Sequence, residues 1–125
     1  MVKKKQSQLY KIMIKIYHNP RCSKSRQGLE ILENSRKQFE IIKYLENIPS
    51  KEELSSIIKK LQIQPIELVR KNEAIWKENY KGKELTDSEI VTAMIQNPKL
   101  IERPIVINNG KAVIGRPLEN IQDIL

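Results

Sequence analysis

Apolar positions alternate over residues 11–17, where Ile12, Ile14 and Ile16 share one face, and a period of two marks a strand. The following His18-Asn19-Pro20-Arg21 is turn chemistry. From Cys22 the period lengthens: Leu29, Ile31 and Leu32 supply an apolar stripe for a helix ending near Asn34, with Ser23 and Ser25 suited to its first turn. Residues 39–45 predict a second strand. The start of the chain therefore predicts a βαβ unit with a cysteine at the helix start.

Ser50 with Glu53 forms a capping-box signature ahead of Leu54, Ile57, Ile58 and Leu61. Thr86 with Glu89 forms a second, ahead of Ile90, Val91, Met94 and Ile95, in a helix that stops before Pro98. Residues 65–76 predict shorter helical pieces, so residues 50–100 form a helical section with no strand pattern. Residues 104–107 and 112–115 flank Asn109-Gly110, a strong hairpin signal, and Pro117 opens a final short helix through Ile121. This order predicts an α/β chain with a thioredoxin-like (glutaredoxin-like), mixed four-stranded sheet and a helical insertion before the third strand. Residues 1–10, rich in lysine and glutamine, are expected to form a mobile tail ahead of a single domain over residues 11–125.

With 39% hydrophobic and 30% charged residues, the 125-residue chain has the means to bury a core. The lysines at 3–5 are not expected to open a signal peptide, because Lys15 interrupts an already short apolar stretch, and no run approaches the roughly 20 apolar residues of a membrane span. A single cysteine forms no internal disulfide, and a single histidine leaves no soft ligand set for a metal. The expected setting is the reducing cytoplasm, where a lone cysteine more often signals chemistry than cross-linking. The net charge of +8 favours anions, but aromatics at 5% do not interleave with the basic residues, so nucleic acid is not the expected partner.

Cys22 at a helix start lies beside unpaired N–H groups and the positive end of the dipole, and Arg21, Lys24 and Arg26 add positive charge. Both effects favour thiolate. Ser25 can point its hydroxyl at the same sulfur, and His18 is close enough in sequence to act as its base or as a structural hydrogen-bonder. Such a helix start also suits a tetrahedral oxyanion, with Arg70, Arg103 and Arg116 as candidate ligands from other segments.

Four segments carry a resemblance. His18-Asn19-Pro20-Arg21-Cys22-Ser23-Lys24-Ser25-Arg26, Leu68-Val69-Arg70-Lys71-Asn72, Ile101-Glu102-Arg103-Pro104-Ile105-Val106 and Gly115-Arg116-Pro117 resemble, in this order, the glutaredoxin-coupled arsenate reductases. The resemblance implies a thioredoxin-like fold, a nucleophilic Cys22 assisted by Ser25, arginines at 70, 103 and 116 that bind the oxyanion, and a cis Arg103-Pro104 peptide. Asn19 and Pro104 are expected to be structural residues beside the site. The implied reaction is attack of Cys22 on arsenate, with glutathione as co-substrate, glutaredoxin as partner, no bound cofactor or metal, and a monomeric enzyme.

Ser23 stands where that family often has glycine, and the lysine-rich start is an addition. Two alternatives share the features. A glutathione-dependent thiol-disulfide reductase would use Cys22 without arsenate. A redox-sensitive transcription regulator of the Spx type would bind RNA polymerase, but such proteins typically carry Cys-x-x-Cys and lack the arginine at 116, whereas this chain has Ser25 and Arg116.

Overall fold

Alternation of Ile14 and Ile16 toward one face forms strand β1, Ile14–Tyr17, the starting point of a computed structural model that describes residues 14–125. The sequence-based tail and the first three positions of the expected strand lie outside the described residues. Helix α1, Ser23–Ser35, follows, and then strand β2, Phe39–Ile42. β2 runs parallel to β1, with Ile16 opposite Ile41. After the helical section come β3, Ile105–Asn108, and β4, Lys111–Ile114. Both pairings of β3 are antiparallel, giving a mixed sheet of order β2-β1-β3-β4. Asn109 (φ 51°) and Gly110 (φ 85°) make the two-residue hairpin loop in the left-handed conformation such a turn demands.

This is the thioredoxin-like arrangement that the element order predicts. Two boundaries differ from expectation. β2 ends at Ile42, and Leu45 is exposed rather than part of the strand. Pro117 does not open the last helix: α5 spans Glu119–Gln122, and Pro117 accepts a turn hydrogen bond from Asn120 N–H.

The described chain divides into two compact units. The first, running to Lys43 and resuming at Arg103, contains the sheet, α1 and α5. Its core is Ile14, Ile16, Leu32, Val106 and Ile121, with Leu29, Ile31, Phe39 and Val113 packed against it. The second, Tyr44–Glu102, is the helical section. It holds α2 (Lys51–Leu61), a 3-10 turn (Pro65–Leu68), α3 (Ala74–Asn79), α4 (Asp87–Gln96) and a second 3-10 turn (Pro98–Leu100).

The caps act as the sequence predicts. Ser50 Oγ accepts from Glu53 N–H, and Thr86 with Glu89 forms a reciprocal box. Contrary to a purely helical section, Val69 and Ile101 form an isolated antiparallel bridge, flanked by Arg70 N–H to Leu100 and Glu102 N–H to Leu68. No helix among the described residues is long and apolar enough to cross a membrane.

Candidate functional site

The turn between β1 and α1 is held from both sides. Asn19 Oδ1 accepts from Arg21 N–H at 3.0 Å, and Cys22 N–H donates to the Asn19 carbonyl at 3.0 Å. Arg26 reaches back from the first turn of α1 to donate to the Pro20 carbonyl at 2.9 Å. Cys22 is thereby fixed as the N-cap residue of α1, in extended conformation, with its carbonyl accepting the first helical bond from Arg26. No side chain caps this helix, and its first turn holds no acidic residue. The positive end of its dipole therefore faces the sulfur without a competing carboxylate.

Cys22 is 9% exposed, at the margin of the interior rather than sealed within it. Arg116 Nη2 lies 3.7 Å from its sulfur, and Arg116 Nε donates to the Arg103 carbonyl at 2.8 Å. That second bond orients the guanidinium, because a planar fork fixed at one nitrogen has little freedom at the others. Burial raises the thiol pKa, but the main-chain N–H groups of Ser25 and Lys24 and the charges of Arg103 and Arg116 outweigh it, so the net shift is downward. The expected result is an iodoacetamide alkylation midpoint below the free-thiol value of about 8.5. A midpoint at or above that value in a pH series would remove the acidified thiol.

Ser25 differs from expectation in one respect. Its hydroxyl is fully buried, 2.7 Å from His18 Nδ1, and accepts from Asn19 N–H at 3.0 Å. It is the main-chain N–H of Ser25 that lowers the thiol pKa. The hydroxyl fastens His18 and Asn19 behind the cysteine, which joins two of the sequence candidates in one network. His18 is 4% exposed, and its pKa falls below the ordinary 6.5 through burial first and the charge of Lys43 next. A depressed pKa means that the unfolded chain binds the proton more readily. His18 therefore stabilises the fold fully above about pH 6.5, and that contribution is lost as pH falls toward the lower native pKa. Urea denaturation at pH 5 and pH 7.5 should show a smaller difference in His18→Gln than in the parent.

Arg103 and Arg116 are thus brought to Cys22, with Ser25, His18 and Asn19 around it. The Arg103-Pro104 peptide is cis, as the resemblance implies, and so is Arg116-Pro117, which the sequence reading did not anticipate. Arg70 belongs to the helical unit, where its guanidinium pairs with Glu73 at 3.1 Å and donates to the Lys99 carbonyl at 3.1 Å. Sequence reasoning missed the anchoring role of Arg26 and the close packing of Gly28 and Gly115 on Pro104. A glycine inside an otherwise helical pattern was the available signal for Gly28. Among the described residues, no group of three or more His, Cys, Asp or Glu is placed to hold a metal ion.

A four-stranded α/β fold with one cysteine at the first helix start, faced by a guanidinium, defines a thioredoxin-like protein whose thiol stands beside positive charge. Residues 17–124 match the ArsC family, and the chain belongs to that family. It is 44% identical over 114 residues to the uncharacterized protein YfgD of Escherichia coli K12, an alignment covering 90% of this chain and 96% of that one. An arsenate reductase of Neisseria meningitidis serogroup A is 43% identical, with 90% and 97% covered. The solved arsenate reductase of Vibrio cholerae superposes with a TM-score of 0.86 at 45% identity, covering 91% of this chain and 99% of that one.

Proposed function

We propose that this chain reduces arsenate to arsenite, with Cys22 as nucleophile and external thiols as the reductant. The observation that carries the reading is the Cys22 sulfur at the open start of α1, 3.7 Å from a guanidinium that the Arg103 carbonyl holds in place. Membership of the ArsC family and similarity to proteins named arsenate reductase support the substrate. Arg103 and Arg116 bind the oxyanion and neutralise the charge that builds on it. The family motif around Arg70 implies the same duty for that residue. Ser25 and His18 assist by fastening the loop that presents the thiol, and Asn19 and Pro104 shape its two sides.

The thiolate attacks arsenic(V), forming the S–As bond as one arsenate oxygen leaves as hydroxide or water. Reduction to arsenic(III) takes two electrons. Two external thiols supply them, becoming one disulfide, so the overall change is arsenate plus two thiols to arsenite, a disulfide and water. The sequence holds one cysteine, so no second thiol of this chain resolves the adduct. Glutathione as co-substrate and glutaredoxin as partner meet that requirement in the cytoplasm, and the scheme draws on no metal or bound organic cofactor. One copy of the chain supplies every group named, consistent with a monomer.

The test is a coupled assay with glutathione, glutaredoxin and an NADPH-linked reductase. Arsenate-dependent NADPH loss is the expected result. Turnover of mixed disulfides without any of arsenate would replace this reading with a thiol-disulfide reductase, and retention of RNA polymerase without turnover would replace it with a regulator.

A further inference from the structure

The charged groups beside Cys22 rest on an apolar contact that the chemistry above does not use. An ideal Cβ on Gly28 would fall 3.0 Å from Pro104 Cγ and 3.1 Å from Ile121 Cδ1, and one on Gly115 would fall 3.0 Å from each of the same two atoms. A side chain at either glycine would therefore force Pro104 or Ile121 to give by a few tenths of an ångström. Gly28 lies inside α1 and needs no left-handed backbone, so close approach, rather than conformational freedom, accounts for the poorest helix former apart from proline at that position.

The contact leads directly to the site. Pro104 follows Arg103 and Arg116 follows Gly115 in the chain, and Gly115 N–H donates to the Pro104 carbonyl at 2.8 Å. Arg116 Nε then takes its orientation from the Arg103 carbonyl. Helix α1 carries both Cys22 at its start and the Gly28 surface against which Pro104 seats. We propose that Gly28 and Ile121 are positioning residues, setting the spacing between Cys22 and the Arg103 and Arg116 guanidinium groups through the seat of Pro104. The inference rests on the reading of those arginines as the anion ligands.

Gly28→Ala tests it. The added methyl displaces Pro104, and the expected result is a rise of about one pH unit in the Cys22 alkylation midpoint, as an opposite charge retreats, with a fall of about tenfold in arsenate kcat/KM. Ile121→Val, which removes the methyl touching both glycines, should shift the midpoint in the same direction by less, and it decides the matter if Gly28→Ala does not fold. Leu32→Ala is the control: it removes a fully buried side chain from the same helix, and should lower the melting temperature without moving the midpoint. Unshifted midpoints in both test variants, or an equal shift in Leu32→Ala, overturn the proposal. The alkylation measurement needs no arsenate, so a shifted midpoint in a chain that never reduces arsenate overturns the substrate and leaves the positioning role standing.

Discussion

Replacing Cys22 by serine should lower arsenate kcat/KM by at least about 10³-fold, roughly 4 kcal/mol of transition-state stabilisation. Serine preserves the extended cap conformation and nearly the side-chain volume, so the fold and the first turn of α1 survive. Its hydroxyl, however, does not ionise near neutral pH, and an oxygen cannot pass through the thiol adduct that reduction requires. The coupled NADPH assay reads the loss. Arsenate binding, followed by calorimetry, should persist in the same variant, because Arg103 and Arg116 remain in place. Turnover above a tenth of the parent rate would show that the sulfur is not the attacking atom.

Arg116→Ala should cost about 1.5 to 3 kcal/mol, the worth of a hydrogen bond to a charged group, or roughly 10- to 150-fold in arsenate kcat/KM. Lysine should recover little. Arg116 donates from Nε to the Arg103 carbonyl while presenting Nη2 to the sulfur, and a single ammonium cannot serve both directions from one position. The thiol should also become less acidic in Arg116→Ala, since one of the charges that lowers its pKa is gone. Unchanged kinetics together with an unchanged alkylation midpoint would remove Arg116 from the site.

Local signals in the sequence translated well where the physics is local. The Thr86 and Glu89 box, the Asn109-Gly110 hairpin and the placement of Cys22 at a helix start each depend on residues within four positions of one another. Strand β2 is shorter than its composition suggests: apolar residues continue to Leu45, whereas pairing with β1 stops at Ile42 opposite Tyr17. The final helix starts later than Pro117 suggests because that residue belongs to the turn that leads into it.

At the site, Cys22 was visible from its polar neighbours, but the three arginines were only candidates until the family motifs ordered them. The structure brings Arg103 and Arg116 to the sulfur. The partners of Ser25 were not legible, since its hydroxyl has two plausible directions from the first turn and only the positions of His18 and Asn19 decide between them. Nor was the seat of Pro104, because it sets Gly28 of α1 against Pro104, Gly115 and Ile121 from the far end of the chain and leaves no periodic trace.

That Cys22 and Arg116 stand 94 positions apart also gives the thiol a history during folding. Bringing such distant segments together spends loop-closure entropy before any contact returns it, so the strand pairing that delivers β3 and β4 belongs among the slower events. Before that pairing the sulfur has only its own helix start to acidify it, and a helix start is frayed in an isolated segment. Electrophile labelling of Cys22 at neutral pH would accordingly time the arrival of the hairpin, with a reactive sulfur marking a chain that has closed its sheet.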